Sequence, residues 1–338
     1  MWKPSGEMRF SLTFLETKRP LKEYVELSRL AEEVGFDSIK MVDHLMYKPA
    51  WPVAFAIGAG TRRVTVGPGI TNPYFIHPAI TAGNIACLDE ITGGRAILGT
   101  GKGTFQHYLG IEAERPITAV REAILLIRHL LSGERTPFEG KVFKLLPEAF
   151  LRWEPPRKSI TIFIGGKGPQ ALQLAGELAD EVKCGGVWAK AYLPFVRENG
   201  AKGARKGGRE PKEVTITLAP YTCISEDREE AKRMARLALA AYLPYLPPAT
   251  ELLGIDPEEV AKVSEAAKRL DFKAGARFIS DKSLQCFMAY GRPGDIISRL
   301  EGLRAEGVES IDFPIPPIMD LAESIKLLGQ VIAHFKGG

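Results

Sequence analysis

Three stretches of the sequence combine glycine with charged side chains in patterns that could hold a ligand or move a proton. Asp43 and His44 follow the apolar run SIKMV, GTGKG occupies residues 99–103, and GGKGP occupies residues 165–169. A histidine beside a carboxylate can exchange protons near neutral pH, because the carboxylate can fix its tautomer. Glycine-rich loops let backbone N–H groups approach a ligand closely. The sequence therefore offers one acid–base candidate and two candidate binding loops.

GGKGP leads directly into the helical pattern PQALQLAGELAD. Successive N–H groups of Gly165, Gly166, Lys167 and Gly168, with a helix N-terminus behind them, would form an anion site to which the lysine adds a positive charge. The motif is not a Walker loop, because no Ser or Thr follows the GK pair. A tight strand-to-helix turn that merely needs glycine explains the same residues equally well.

GTGKG follows the apolar run RAIL. It lacks the third glycine of a dinucleotide fingerprint and the acidic ribose partner, so the sequence does not favour a Rossmann site. Close approach of the backbone at Thr100, Gly101 and Gly103 to a flat ligand is the better functional interpretation, although simple turn geometry is also possible.

The run VGPGITNP at residues 66–73 begins as a strand and then breaks at Gly67, Pro68 and Gly69. Glycine adopts dihedral angles closed to other residues, and proline cannot continue a sheet ladder. This segment is either a plain strand exit or a backbone shaped to meet a ligand.

Composition excludes several classes of function. The formal charge is only +4 over 338 residues, and the most basic stretch, residues 202–212, is interspersed with glycine. We therefore expect no nucleic-acid partner.

No apolar run is long enough to span a bilayer, and the N-terminus has no signal core. Four scattered cysteines without a CxxC pair are typical of a reduced cytoplasmic protein. Scarce Asn and Gln indicate a thermophilic source.

The remaining histidines give no metal-ligand spacing, and no GxSxG elbow or Cys/His pair indicates a hydrolase. We therefore expect no metal site. On these residues alone, the reaction stays unassigned.

Short β-rich runs alternate with helical windows along the chain. The predicted strands are 9–14, 38–42, 64–70, 95–100, 159–166, 181–185, 213–224 and 309–315. Parallel strands need helical crossovers, and eight such units favour a closed (β/α)₈ TIM barrel over an open sheet. We expect one domain over residues 1–338, with insertions near 137–156 and 226–290. In such a barrel the strand exits form the active site, and these exits carry the glycine loops and the Asp43-His44 pair.

Long stretches of the sequence resemble a known family: AEEVGFDSIKMVDH, GPGITNPYFIHPAITAGNIACLDEITGGRAILGTGKG, IFIGGKGPQALQLAGELADE and SIKLLGQVIAHF. They are similar to the luciferase-like family of flavin and deazaflavin oxidoreductases. Within that family they look most like the methylenetetrahydromethanopterin reductases. The resemblance implies a bacterial-luciferase-like TIM barrel that binds the 5-deazaflavin coenzyme F-420, or alternatively FMN, at the carboxyl ends of its strands.

The resemblance also implies roles for individual residues. Asp43 and His44 would lie near the coenzyme ring, residues 99–103 would border it, and residues 165–168 would hold its phosphate. Gly69-Ile70 matches a non-prolyl cis peptide that backs the ring face, and Thr71 follows it. The implied cofactor-binding residues are Asp43, His44, Gly69, Ile70, Thr71, Thr100, Gly101, Gly103, Gly165, Gly166, Lys167 and Gly168.

The sequence departs from the family at the substrate side. Thr13 and Thr104 stand where related enzymes carry acids, and residues 45–47 read Leu-Met-Tyr in place of Tyr-Asn-Asn. The acid–base candidates that remain are His44 and Glu16. The residues expected to bind the cofactor therefore match the family pattern, whereas those expected to contact the substrate differ from it.

The leading hypothesis is an F-420-dependent oxidoreductase that transfers hydride between the deazaflavin and a pterin-type or other small substrate. The alternative is an FMN-dependent luciferase-like monooxygenase, and a distant third is a cofactor-binding protein that has lost catalysis. The family leads us to expect a homodimer or a higher homo-oligomer.

Overall fold

The computed structural model describes residues 7–15 and 18–337, and its central feature is a barrel of eight parallel strands. The strands in chain order are β1 Arg9–Phe14, β2 Ser38–Met41, β3 Thr65–Pro68, β4 Ile97–Thr100, β5 Phe138–Glu139, β6 Lys144–Leu145, β7 Thr161–Gly165, β8 Glu181–Gly185, β9 Thr215–Ala219, β10 Tyr221–Ile224, β11 Met288–Gly291 and β12 Ser310–Ile315. The barrel order is β1-β2-β3-β4-β7-β8-β9-β12, and β12 pairs back onto β1. The (β/α)₈ prediction is confirmed.

β3 and β4 are joined by isolated bridges, whereas the other neighbouring barrel strands form continuous ladders. Two isolated bridges join these strands, Val66 with Ala96 and Thr71 with Thr100. The second bridge lies beyond the end of β3, at the carboxyl edge of the barrel.

Helices surround the barrel. In chain order they are α1 Leu21–Glu33, α2 Ala50–Gly60, α3 Pro78–Thr92, α4 Pro116–Ser132, α5 Pro169–Leu178, α6 Leu193–Lys206, α7 Arg228–Tyr242, α8 Ala249–Leu252, α9 Pro257–Lys268, α10 Phe272–Ala276, α11 Asp281–Phe287, α12 Pro293–Ala305 and α13 Leu321–Lys336. Several begin with proline, whose fixed φ suits the first helical position and whose missing N–H would have had no partner there. The crossover helices put the outward strand side chains in an apolar layer, as where Phe10 packs against Phe313 and Phe335.

The predicted strand over residues 213–224 is wrong, because Pro220 divides it. β9 stays in the barrel, whereas β10 leaves it and pairs with β11, in a segment predicted to be mostly helical. Proline has no N–H for a ladder, so the chain changes partner there. The stretch 137–156 contains the small β5–β6 hairpin, and α7 to α11 lie between β10 and β11.

A cluster of buried ions fills part of the barrel interior. Lys183 Nζ lies 2.8 Å from Asp312 Oδ2, and Lys40 Nζ lies 3.4 Å both from Asp312 Oδ2 and from Glu181 Oε1. Lys183 also donates to Thr13 Oγ1 at 2.9 Å, and Thr13 Oγ1 donates to Asp312 Oδ1 at 2.8 Å. These residues, Thr13, Lys40, Glu181, Lys183 and Asp312, are called the barrel ion cluster below.

The barrel ion cluster explains why the sixth barrel strand, EVKCG, is polar. Side chains alternate between the two faces of a strand, so Glu181 and Lys183 point into the barrel while Val182 and Cys184 pack outward. Burial alone would raise the pKa of Asp312, but Lys183 and Lys40 hold that pKa below its ordinary value. The carboxylate is therefore ionised and pairs with both lysines.

Asp312→Asn tests the barrel ion cluster. The substitution leaves two buried lysines short of a counter-charge, so we expect the free energy of unfolding at neutral pH to fall by about 3–5 kcal/mol. Because the pKa of Asp312 is lowered in the folded state, its contribution is present above the ordinary carboxyl pKa and is lost as the pH falls through the folded value. Urea denaturation from pH 7 to pH 3 should therefore show the gap between wild type and variant narrowing in acid.

Glu258→Gln is the matched control. Glu258 pairs with Lys262 on the exposed surface of α9 at 2.8 Å, and its loss should change stability by less than about 0.5 kcal/mol. An Asp312→Asn protein as stable as this control at neutral pH would contradict the assignment.

Candidate functional site

The carboxyl edge of the barrel brings together residues from three predicted site loops. Thr71 N donates to Gly99 O at 3.0 Å, and Gly101 N donates back to Thr71 O at 3.2 Å. Thr71 Oγ1 donates to Asp43 Oδ2 at 2.7 Å. Exits of the second, third and fourth strands are therefore fixed to one another by hydrogen bonds, and they form one continuous rim.

The peptide bond between Gly69 and Ile70 is cis, as the family resemblance implied. The Ile70 side chain packs against glycines at the ends of two other strands, β4 and β7. A Cβ built on Gly101 would lie 2.5 Å from Ile70 Cδ1, and one on Gly165 would lie 2.9 Å from Ile70 Cγ2. Glycine is required at both positions because the isoleucine occupies the space of a side chain. Together Gly69, Ile70, Gly101 and Gly165 form what we call the mouth floor.

The mouth floor rests on the barrel ion cluster. A Cβ on Gly69 would lie 2.6 Å from Lys40 Cβ, so the lysine stem supports this glycine from below. The Lys40 ammonium is also 4.5 Å from the centroid of the Phe163 ring. Lys40 is thus in contact with the floor through its methylene groups while its charge lies deeper in the barrel.

The GGKGP loop forms the start of α5, which begins at Pro169. Gly166 N donates to Lys183 O at 3.1 Å, whereas the N–H groups of Lys167 and Gly168 find no acceptor in the described part of the chain. The Tyr192 hydroxyl donates to the Lys167 carbonyl and fixes the loop. The loop therefore presents free donors at a helix N-terminus.

A cavity of about 330 Å³ lies in front of this loop. Its lining includes Gly101 and Lys102 on one side and the loop 165–168 on the other. Burial lowers the pKa of Lys167, and no carboxylate among the described residues acts on its ammonium. An anion bound here would replace the hydration that this cation has lost.

His44 lies at the rim, but its relation to Asp43 differs from the prediction. The Asp43 carboxylate bonds Thr71 and Ala50 N, and no hydrogen bond joins it to the imidazole. The expectation that Asp43 fixes the tautomer of His44 is therefore wrong; the carboxylate is already used to hold the rim. Burial lowers the pKa of His44, although the charge of Asp43 acts to raise it. The imidazole is accordingly neutral near pH 7.

The remaining residues that the sequence analysis singled out lie in different surroundings. Gly103 has a φ of +73°, and a Cβ there would lie 2.9 Å from Asn72. Thr100 is buried in β4 and pairs with Thr71. Thr13, at a position where the family resemblance implied an acid, is buried and bonded to Asp312 and Lys183. Glu16 lies outside the described residues, so its candidacy as acid or base stays a prediction.

Four aromatic side chains that the sequence did not assign to the site lie near His44 at the rim. They are Tyr47, Phe105, Tyr108 and Tyr245, and together with His44 we call them the aromatic collar. Ring contacts join them: His44 lies 5.2 Å from Tyr47 and 5.7 Å from Phe105. Tyr245 comes from a segment far along the chain, so sequence spacing carries no signal for its position.

Residues 8–310 match the family model described as luciferase-like monooxygenase. The chain therefore belongs to the luciferase-like family, and its barrel is the fold of that family.

Individual relatives narrow the comparison. The chain is 34% identical over 336 residues to 5,10-methylenetetrahydromethanopterin reductase of Archaeoglobus fulgidus, covering 96% of this chain and 98% of that protein. It is 31% identical over 240 residues to an F-420-dependent glucose-6-phosphate dehydrogenase of Nakamurella multipartita, covering 65% and 69%. The solved coenzyme F-420-dependent tetrahydromethanopterin reductase of Methanopyrus kandleri superposes with a TM-score of 0.89 at 28% identity, covering 97% and 99%.

Two negative findings accompany these comparisons. Within residues 7–15 and 18–337, no group of three or more potential ligands could hold a metal ion. No helix in the same ranges is long and apolar enough to cross a membrane.

Gly101→Ala tests the mouth floor. The new methyl group would press on Ile70 and on the Gly165 carbonyl oxygen, 2.9 Å away, and such overpacking typically costs about 1–3 kcal/mol. We expect chemical denaturation to show a loss of that size.

Gly168→Ala is the matched control, because a Cβ there meets nothing within 4 Å and its φ of −80° suits any residue. This variant should be as stable as wild type. Equal stability of the two alanine variants would show that Ile70 does not fill the space above Gly101.

Proposed function

We propose that this protein is a coenzyme F-420-dependent oxidoreductase that transfers hydride between the deazaflavin and a pterin-type or other small substrate. The observation that carries the proposal is the loop at the start of α5, where two N–H groups and the Lys167 ammonium have no partner among the described residues, beside a mouth floor whose only side chain is Ile70. The relatives named above, F-420-dependent by description or of the methanopterin reductase kind, support the same coenzyme.

The residues present fit a coenzyme that combines a phosphate with a flat ring. Two free N–H groups and a lysine belong to one short loop that lines the cavity in which a phosphate would bind. Next to them, glycines at the ends of β4 and β7 leave a shallow surface that carries only Ile70. Lys167 and the backbone of residues 166–168 would hold the phosphate, while the mouth floor would lie against the ring.

When bound, the deazaflavin would supply the chemistry by accepting or giving up a hydride. The chain supplies orientation, because the rim hydrogen bonds around Asp43 and Thr71 fix the floor. The neutral His44 imidazole can donate or accept a hydrogen bond at the rim. Lys167 would balance the negative charge of a bound phosphate.

FMN is the alternative coenzyme, because its phosphate would suit the same loop and the family description names monooxygenases. An FMN enzyme of this type would use reduced flavin and oxygen. The relatives that cover nearly the whole chain favour the deazaflavin.

Titration of the purified protein with coenzyme F-420 and, separately, with FMN tests the proposal. We expect F-420 to bind with a dissociation constant in the micromolar range or below, seen in its fluorescence, and FMN to bind far more weakly. Lys167→Met should weaken F-420 binding about 10- to 100-fold, because a charge-assisted hydrogen bond is worth about 1.5–3 kcal/mol.

Lys262→Met, on the exposed face of α9, is the control and should bind F-420 like wild type. Tight binding of FMN alone would replace this proposal by the monooxygenase. Unchanged F-420 binding in Lys167→Met would remove the phosphate role from the α5 loop.

We further propose that two copies of the chain associate through α3 and the neighbouring α2. α2 contains no charged residue, and α3 carries Ile80, Gly83, Cys87 and Ile91 at helical spacing on one face, with the two isoleucines 59% and 51% exposed. A surface helix that is apolar outward as well as inward is typical of an interface.

Sedimentation velocity checks this association. Wild type should sediment at about twice 37.1 kDa, and the double variant Ile80→Glu, Ile91→Glu at the mass of one chain. Leu252→Glu, an exposed residue of α8, should leave the mass unchanged. A wild-type protein that sediments as one chain would refute the association.

For the compartment, we propose the cytoplasm, since all four cysteines are unpaired thiols.

A further inference from the structure

Two buried side chains, Lys40 of β2 and Phe163 of β7, lie below the barrel mouth and contact each other. Each residue is 1% exposed, and the Lys40 ammonium lies 4.5 Å from the centroid of the Phe163 ring. An ammonium over an aromatic face is attracted by the negative charge density of the ring. β3 and β4 lie between β2 and β7 in the barrel, so this pair spans the inner side of those two strands. We call Lys40 and Phe163 the support pair.

Each member of the support pair occupies the space beside one glycine near the mouth. A Cβ built on Gly69 would lie 2.6, 3.3 and 3.4 Å from Cβ, Cγ and Cδ of Lys40. Phe163 and Gly99 are register partners in β7 and β4, and a Cβ built on Gly99 would overlap Phe163 Cζ and lie 2.6 Å from its Cε2. The lysine stem therefore packs against one glycine, and the edge of the ring packs against the other.

The two glycines connect the support pair to the coenzyme site proposed above. Gly69 precedes Ile70, the side chain of the mouth floor, and Gly99 lies two residues before Gly101 of the same floor. The Gly99 carbonyl also accepts the hydrogen bond from Thr71 N at 3.0 Å that fixes the rim. A displacement of either glycine would therefore move the surface that we expect to lie against the coenzyme ring.

The lysine stem is fixed at its far end by the barrel ion cluster. The Lys40 ammonium lies 3.4 Å from carboxylate oxygens of both Asp312 and Glu181. These ion pairs anchor the end of the side chain, while the methylene groups nearer the backbone contact Gly69. A side chain with a similar stem and no charge would lose the anchor and keep most of the packing, so the two contributions of Lys40 can be separated by substitution.

We propose that Lys40 and Phe163 are positioning residues for the coenzyme. The lysine stem and the ring edge set the positions of Gly69 and Gly99, and in this way they align the mouth floor with the bound ring. Because both side chains are buried, they act through the glycines and do not touch the coenzyme. A binding surface works only when the side chains behind it hold it in place. This inference rests on the proposed oxidoreductase function and adds two supporting residues to its site.

Fluorescence titration with coenzyme F-420 separates the stem of Lys40 from its charge. Lys40→Ala removes both, whereas Lys40→Met removes the charge and keeps an unbranched stem that packs adaptably. We expect F-420 binding to weaken at least about tenfold in Lys40→Ala and only about threefold in Lys40→Met. Both variants should lose stability, because each leaves Asp312 and Glu181 with one cation fewer. A merely structural role for Lys40 would not give this recovery of affinity by methionine.

Phe163→Leu is a second test that leaves every charge in place. Leucine lacks Cε2 and Cζ, the two atoms that lie against Gly99, so F-420 binding should weaken about fivefold or more. Phe36→Leu is the matched control, because Phe36 is 4% exposed, precedes β2 at the amino end of the barrel and packs against Phe313. This control should lose a similar amount of stability and bind F-420 like wild type.

Three results would overturn the inference, in variants shown by circular dichroism to be folded at the titration temperature. They are unchanged F-420 affinity in Lys40→Ala and Phe163→Leu, equal losses in Lys40→Ala and Lys40→Met, and equal losses in Phe163→Leu and Phe36→Leu. If neither Lys40 variant folds, the comparison of the two leucine variants decides.

A wild type that binds FMN and not F-420 would refute the proposed function. The same variants titrated with FMN would then decide the role of the support pair, because the pair acts on the floor and not on one particular ring. The same order of losses with FMN would uphold that role, and equal FMN affinities would overturn it. A wild type that binds neither coenzyme would refute both the function and the inference.

Discussion

The buried ion pairs around Asp312 lie directly beneath the mouth floor of the barrel. Lys183 and Lys40 reach this carboxylate from two other strands, and Thr13 bonds it from a third. Burying charges is unfavourable unless each has a partner, so these strands are held in a register that keeps the partners together. The methylene groups of Lys40 in turn pack against Gly69. The shape of the mouth floor therefore depends on ions one layer below it.

Above that layer the site is built from three kinds of surface. The floor is almost free of side chains, because Ile70 takes the space above Gly101 and Gly165. One side offers a cation and free N–H groups at the start of α5. The other side offers aromatic rings. A ligand that is anionic at one end and flat at the other matches the loop and the floor.

Much of this could be predicted from the sequence, because the relevant signals are local. Alternating strands and amphipathic helices gave the barrel, and glycines at strand exits gave the loops of the site. The barrel ion cluster could not be found in that way: Lys40 and Glu181 are 141 residues apart, and Thr13 and Asp312 are 299 apart. From the sequence alone, Glu181 and Lys183 show only that β8 is an unusually polar strand. Tyr245 was missed for the same reason, and the strand break at Pro220 was missed because apolar residues continue on both sides of it.

Pro220 separates two parts of the chain that can change independently during evolution. On one side of this residue the chain is a barrel strand whose register is fixed by its neighbours β8 and β12. On the other side it enters a separate two-stranded sheet, and the helices between those two strands supply Tyr245. Insertions or replacements between β10 and β11 can therefore change one wall of the mouth while the barrel, its ions and its phosphate loop are left intact. Related proteins with this arrangement can therefore change their substrate while they keep the part of the barrel that holds the coenzyme.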